Sequence, residues 1–366
     1  MYLRELSIVN YKNIEQVTVE FVDGINCFCG YNGMGKTNIL DVIYYLSMCK
    51  SFFNSIDSQN IKHNMEFFVL QGEYYASDKQ ENIYCGFKRG RGKQFKRNKK
   101  EYDKLMDHIG LLPVVMISPS DSMLITEGSE ERRKYMNGVI SQYDKAYLED
   151  TIRYQKILKQ RNSFLKQSYS SGLFDSDMLE VMDEQMTAIG ERIFKKRIEF
   201  LDKLLPVFDR YYREISGADE EVGLQYKSQL FNGSFAELLN AARHKDTYIQ
   251  HTSVGIHRDD LELTINSYPL KRSGSQGQQK SFLMALKLAQ FEFLFESSGK
   301  KPILLLDDIF DKLDQRRVAS VLNIVSGSSF GQIFVTDTNR DRVESLIGTI
   351  DKKDTFIFDI ENGAII

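Results

Sequence analysis

Cysteine is scarce: four residues in 366, at positions 27, 29, 49 and 85, too few and too scattered for a disulfide framework. Only Cys27 and Cys29 are close, and they alternate with Phe28 in a strand-like run. A zinc site needs two C-x₂₋₄-C pairs or a histidine counterpart, so these two read as buried strand residues. Unpaired cysteines fit a reducing, cytoplasmic setting. No apolar run approaches the roughly 20 residues of a membrane span. The start, "MYLRELSIVNYKN", alternates apolar and charged residues as a strand does and does not read as a signal peptide. No repeat or low-complexity tail is visible. A net charge of −3 excludes a chain basic throughout and leaves room only for a local basic patch. The hydrophobic fraction of 42% is enough for a large core and excludes global disorder.

What is present alternates between two characters. Residues 1–30 read as strands, with Leu3, Leu6, Ile8, Val17, Val19 and Phe21 followed by "INCFC" and broken at Asp23-Gly24. A helix follows, "KTNILDVIYYLSMCKSF", with Ile39, Leu40, Ile43 and Leu46 on one face. "FFVLQGEYY", "NIYCGF", "KQFKRN" and the short "LPVVMIS" read as further strands. From about 130 to 215 the pattern is helical and charged. Leu148, Ile152, Leu158 and Leu165 mark one face, and Met178, Met182, Met186, Ile189, Ile193, Leu201, Leu204 and Phe208 another. The turn-rich "SYSSGLFDSD" between them predicts an antiparallel hairpin with both stripes in its core. Strands return at "LELTIN", "PILLLDD" and "QIFVTD", and "TFIFDIENGAII" is a final hairpin turned at Asn362-Gly363. The pattern predicts an α/β domain, 1–118 and 245–366, interrupted by an inserted helical domain, 119–244.

"GYNGMGKT" fits G-x-x-x-x-G-K-[ST] and lies between a predicted strand and a predicted helix, as a P-loop must. Gly30, Tyr31, Asn32, Gly33, Met34 and Gly35 would wrap ATP phosphates with backbone N–H groups at a helix N-terminus. Lys36 would reach the outer phosphates, and the Thr37 hydroxyl would ligate Mg²⁺. "ILLLDD" is an apolar strand ending in two carboxylates, at the edge where α/β ligand sites lie. Asp307 would hold the metal, and Asp308 would be the base that orients the attacking water. "SGSQGQQKSFLMALKLAQ" places a polar loop before a long apolar helix, more than one cap requires. Such a loop is suited to an anion. The chain's own P-loop already serves ATP, so the expected recipient is the γ-phosphate held by a second copy, contacted by Ser275, Gly277 and Gln278. Two chains would face each other with two ATPs between them.

This set resembles the ATP-binding-cassette superfamily, with Ser275, Gly277 and Gln278 aligned on the signature loop and "DKLD", ending at Asp314, similar to the D-loop. The interval from Lys36 to Ser275 is too long for a transporter subunit and too short for the long coiled coils of SMC proteins. Its size resembles that of the RecF family. So do "MYLRELSIVNYKNIE", "ISPSDSMLITEGSEERRKYMN" (117–137), "YQKILKQRNSFLK" (154–166), "SVGIHRDDLEL" (253–263) and "GQQKSFLMALKLAQ" (277–290), which together span nearly the whole chain. The resemblance implies an ATPase head, lobe I, with a helical lobe II inserted. It implies ATP-dependent DNA binding as a dimer, slow hydrolysis, and a role in gap repair and fork maintenance with RecO and RecR, assisting RecA loading and feeding the SOS response. The superfamily's base is usually Glu, where this chain has Asp308. Its switch His is absent, leaving Asp337 or Thr338 in that region.

"KRGRGKQFKRNKK", 88–100, holds eight basic residues in thirteen. Gly90, Gly92 and Asn98-Lys99 predict hairpin turns, so Lys88, Arg89, Arg91, Lys93, Lys96 and Arg97 would project from a sheet edge toward DNA phosphates, single- or double-stranded. The alternative is a solvated edge whose lysines prevent sheet aggregation. "EERRK" (130–134) and "KQRN" (159–162) are weaker candidates. His257, Asp259 and Asp260 would make a poor metal cage and read as structural or nucleotide-proximal. The competing functions are a cassette-type regulatory ATPase that binds proteins rather than DNA, and a transporter subunit, which the long insertion disfavours.

Overall fold

The computed structural model describes residues 1–76, 79–173, 175–217, 220–309, 315–327, 329–347 and 354–366. "DKLD" therefore lies outside the described residues. In chain order the main elements are β1 (Tyr2–Tyr11), β2 (Ile14–Glu20), β3 (Ile25–Cys29), α1 (Lys36–Met48), β4 (Phe67–Ala76), β5 (Lys79–Lys88), β6 (Gly92–Arg97), β7 (Lys100–Glu101) and β8 (Val114–Ile117). Next come α2 (Ser129–Ile140), α3 (Lys145–Ser171), α4 (Ser176–Ser216), β9 (Val222–Lys227), α5 (Phe235–Ile249), β10 (Asp260–Ile265) and β11 (Tyr268–Pro269). Last are α6 (Gln276–Ser298), β12 (Ile303–Asp307), α7 (Gln315–Ser326), β13 (Ile333–Asp337), α8 (Arg340–Ile347), β14 (Thr355–Glu361) and β15 (Ala364–Ile365).

The chain divides into two compact units, one of residues 1–122, 210–218 and 276–366, the other of 123–209 and 219–275. This is an α/β head interrupted by a largely helical insertion. The chain returns to the first unit at 276, not at 245 as the pattern suggested. The reason is pairing: β10 lies antiparallel on β9 in a three-stranded sheet of order β11-β10-β9. "LELTIN" thus completes a sheet within the insertion.

The first unit holds two sheets. One is antiparallel, in the order β2-β1-β4-β5-β6-β7. The other runs β15-β14-β3-β13-β12-β8 and is parallel except for the terminal β14–β15 hairpin. Alternation in β1 sends Leu3, Leu6 and Ile8 inward, while β3, β12 and β13 are buried along their whole length and mainly apolar, as befits central parallel strands. α1 touches strands of both sheets, and its Ile39, Leu40, Ile43 and Leu46 share one core with Phe68, Leu70 and Cys85 of the antiparallel sheet and Phe28, Leu305 and Phe334 of the parallel one. The helix ends at Met48 because Cys49 turns left-handed, a few residues earlier than the sequence pattern suggested. Buried Gln332 ties the sheets together. Its Oε1 accepts from the Leu3 N–H at 2.8 Å, and its Nε2 donates to the Leu3 and Val22 carbonyls at 2.8 and 2.9 Å.

In the second unit, α3 begins at an Asp144 cap and ends where Gly172 turns left-handed, giving the predicted break before α4. Leu165, Met186, Ile189, Ile193, Leu204 and Phe208 are buried. Ile152 and Met178, expected in the same core, are about half exposed, at 50% and 48%. Charge is buried beside these apolar residues. Arg161, fully buried, donates to Asp183 Oδ1 at 2.6 Å, Asp246 Oδ2 at 2.8 Å and Thr252 Oγ1 at 2.9 Å. Arg197 donates to Asp259 Oδ2 at 2.7 Å and to the Ile256 carbonyl at 2.9 Å, and Asp259 also accepts from the Tyr226 hydroxyl.

Candidate functional site

β3 leads into the P-loop, and the loop's shape is set by glycines where other residues fail. Gly30, Gly33 and Gly35 have φ of 151°, 83° and 107°. A Cβ on Gly30 would stand 2.3 Å from the Ile360 carbonyl oxygen, so no side chain fits there. The loop is clamped from two directions. Asn13, in the β1–β2 turn, donates to the Gly33 carbonyl at 3.0 Å and accepts from Asn38 Nδ2 at 2.7 Å. The final hairpin's Gly363 N–H donates to the Met34 carbonyl at 2.8 Å. Asn362 and Gly363 both have positive φ, as the two-residue turn requires.

Lys36 is buried and donates to the Gly30 and Tyr31 carbonyls at 2.6 and 2.9 Å, curling back over its own loop. Burial pulls its pKa below the ordinary lysine value, against the opposing pull of Asp308, Asp307 and Asp337. One residue on, the Thr37 hydroxyl donates to Asp307 Oδ1 at 2.8 Å, although 270 positions separate them. The Thr336 hydroxyl, at the end of β13, donates to the same oxygen at 2.8 Å and accepts from the Asp308 N–H at 2.9 Å. Asp307 is buried, and desolvation raises its pKa, while the hydrogen bonds from Thr37 and Thr336 and the Lys36 charge work the other way. Asp308 is half-buried and turns left-handed, with φ of 48°.

These groups line one open cavity of about 470 Å³ at the carboxyl ends of β3, β12 and β13, the edge where α/β sheets bind ligands. Its walls include Asn32, Gly33, Gly35, Lys36, Thr37, Asp307, Asp308 and Thr336, joined by Phe53, Pro119 and Ser120. The P-loop and the acidic pair are therefore brought together as the sequence predicted. Thr336 was missed, though a strand ending "VTD" beside one ending "LDD" was a signal. Asn13, Phe53 and Ser120 had none, because only tertiary pairing brings them to the loop.

Other expected residues lie elsewhere. Helix α6 starts at Gln276, so Gly277 and Gln278 form its first turn and not a preceding loop. Neither lines the cavity. Ser275 belongs to the second unit and is exposed. Asp337 is buried and ion-paired with Arg342 at 2.6 Å, and Thr338 is half-buried.

The basic hairpin also divides. Its turns are where the glycines and Asn98-Lys99 put them, with positive φ at Gly90, Gly92, Asn98 and Lys99. Lys93 points inward to Asp57, at 2.9 Å, and over the Tyr45 ring. Arg97 is held bidentate by Glu81 at 2.8 and 2.6 Å. These two are committed within the unit, whereas Lys88, Arg89 and Arg91 are exposed and Lys96 is half-buried. The arginines of the weaker basic candidates are engaged within the second unit, while Lys159 is exposed. Arg132 pairs with Asp260 at 2.7 Å, Arg133 donates to the Asp259 carbonyl at 2.7 Å, and Lys134 bonds Glu131 at 2.8 Å. Arg161 of "KQRN" is the buried arginine described above. His257, Asp259 and Asp260 do not converge. His257 meets the Tyr154 hydroxyl at 2.9 Å and the Thr252 carbonyl at 3.1 Å, and each carboxylate has its own arginine.

A P-loop and an acidic strand end on a parallel sheet, with a long helical insertion between them in the chain, define a cassette-type ATPase head of the SMC class. Residues 2–355 match the family model "RecF/RecN/SMC N terminal domain". The chain is 50% identical to the DNA replication and repair protein RecF of Phocaeicola vulgatus, over 100% of this chain and 98% of that one, and 51% identical to that of Bacteroides fragilis over the same shares. A solved structure of the recombination mediator protein RecF with ATP, in the RecFOR pathway, superposes with a TM-score of 0.89 at 33% identity, covering 100% of this chain and 97% of the other. The chain belongs to the RecF family. No helix among the described residues is long and apolar enough to cross a membrane.

Proposed function

We propose that the protein is an ATP-gated DNA-binding protein of recombinational repair, in which ATP and Mg²⁺ occupy the P-loop cavity and two copies close head to head on DNA. The observation that carries this reading is the Thr37–Asp307 hydrogen bond, at 2.8 Å, inside the P-loop cavity. A hydroxyl and one carboxylate are hard oxygen donors, and among the described residues no three acidic, His or Cys side chains form a metal-binding group. So sparse a set suits a small cation that keeps several waters, as Mg²⁺ does. Thr37 and Asp307 would hold it, and the bound ion would offset charge on the phosphate oxygens.

The chain's own groups do the rest. Lys36 would exchange its two carbonyl partners for phosphate oxygens. The Gly33–Thr37 N–H groups at the start of α1 would hold the phosphates. Asp308 would accept a proton from the attacking water and orient it, and Thr336 fixes the backbone on which Asp308 sits. Ser275, Gly277 and Gln278 would meet the γ-phosphate of the opposing copy. Hydrolysis would be slow, timing release from DNA, because Asp308 is one methylene shorter than the usual Glu. Family membership supports partners of the RecO and RecR kind, assistance to RecA loading, SOS induction and a cytoplasmic location.

Mixing Lys36→Met and Ser275→Arg chains tests this. Each variant alone should neither dimerise with ATP nor hydrolyse it. The mixture should regain ATP-dependent dimers by light scattering and ATPase at its single intact composite site. No recovery on mixing sinks the shared-site assignment, and ATP-driven dimers of Lys36→Met alone sink the P-loop assignment.

A further inference from the structure

The outer face of the antiparallel sheet carries a second concavity, of about 460 Å³, lined by Gln71, Asn82, Tyr84, Lys96, Asn98 and Lys99, with Ile83 at its base. Its floor is built around one ring. Tyr84 lies along β5 over Gly86, so that a Cβ there would stand 2.7 Å from the tyrosine oxygen and 3.2 Å from Cζ. The missing side chain lets the ring lie down on the sheet. Lys96, directly opposite Tyr84 on β6, places its ammonium 5.5 Å from the ring centroid. Asn98 fixes the far wall by accepting from the Asn82 N–H at 2.8 Å and donating to Glu81 at 2.8 Å.

Charge is unevenly spread across this face, with an acid, Glu101 of β7, directly opposite Lys96. Glu5, Glu20 and Glu73 occupy neighbouring positions on β1, β2 and β4. Lys88 and Arg91 stand at one end of β6 and Lys99 and Lys100 at the other, and none has an ion-pair partner among the described residues. Six residues of strand separate these ends by about 20 Å. Inward-facing cations are neutralised, Lys93 by Asp57 and Arg97 by Glu81, whereas the outward ones are not.

The geometry points to this groove as a binding site for single-stranded DNA, with a base stacked near Tyr84 and phosphates met by Lys96, Lys99 and the hairpin-tip cations. A flat ring flanked by cations and amide side chains suits an unstacked base and its backbone. A duplex, whose bases are already stacked inside, leaves the ring nothing to hold. This assignment rests on the DNA-binding reading above and narrows it to one face and one form.

The test is salt-dependent binding of the full-length protein to a short oligothymidylate and to a duplex of equal length. Tyr84→Ala should lower single-strand affinity about tenfold. Its duplex affinity and salt slope should not change, and Tyr84→Phe should behave as the parent. Gly86→Val, which lifts the ring while removing no charge, should repeat the Tyr84→Ala result. Lys96→Gln with Lys99→Gln should flatten the single-strand slope by about 0.7 per lost contact. Equal loss on duplex and single strand, or no loss with Tyr84→Ala, overturns the groove while leaving DNA binding intact. Absence of any DNA binding by the parent protein overturns both readings. Circular dichroism melting confirms that each variant is folded.

Discussion

Basic stretches in the two units meet opposite fates. Around 88–100, in the first unit, several cations remain outward with no ion-pair partner among the described residues. In the second unit the arginines of "EERRK" and "KQRN" are consumed: Arg132 and Arg133 serve the β10 end, and Arg161 is fully buried among Asp183, Asp246 and Thr252. The difference teaches that charge density in a sequence does not mark a ligand surface. What marks it is charge left over after folding. Buried guanidinium groups are expensive to desolvate and stay only where carboxylates surround them, so the insertion uses arginine as an internal strut.

The largest expected effect comes from breaking that strut. Arg161→Ala leaves Asp183 and Asp246 short of their partner in a dry interior and should destabilise the second unit by about 3–5 kcal/mol, read by urea melting. A loss under about 1 kcal/mol would show that the arginine is dispensable and weaken the contrast. Next in size is acid sensitivity. Burial pushes the pKa of His257, in the second unit, down to about 4, with neighbouring Arg258 and Arg133 lowering it further and the Thr252 carbonyl and Asp246 opposing. His108, in the first unit, is lowered to about 4 by burial as well. The unfolded chain binds these protons near pH 6.5 and the folded chain does not, so stability should fall as pH drops from about 6.5 to 4, by on the order of 3 kcal/mol per histidine. Comparing pH-dependent melts of the parent with His257→Gln and His108→Gln would separate the two contributions, and pH-independent melts would contradict both. The smallest stability effect is expected at the hairpin tip. Lys88→Gln with Arg91→Gln should change stability by less than about 0.5 kcal/mol. The same pair should lower the salt slope of DNA binding by roughly 0.7–0.9 per lost contact. A large stability loss there would mean that these cations, too, are structural.

Much of the head was legible because its signals are local. "GYNGMGKT" carries its own turn geometry in its glycines. "ILLLDD" carries both burial and the acidic edge. Asn362-Gly363 specifies a hairpin whatever surrounds it. The insertion was less legible. Met178 and Ile152 follow helical spacing yet stay about half exposed, and Arg161 and Arg197, which no apolar stripe announces, are buried. The boundary at 245 failed for a related reason, since β10 could pair with any edge and pairs with β9.

By itself the sequence determined the strand–loop–helix of the phosphate site, the acid at the end of β12, the turns and the family, since each depends on residues adjacent in the chain. Tertiary structure alone decided that Thr336 would share the Asp307 carboxylate, that Asn13 and Gly363 would clamp the P-loop, and which of the thirteen basic side chains in "KRGRGKQFKRNKK", "EERRK" and "KQRN" would be spent in ion pairs. Those outcomes depend on which carboxylate or carbonyl arrives from a distant part of the chain, and desolvation makes that arrival decide whether a charge can be buried at all.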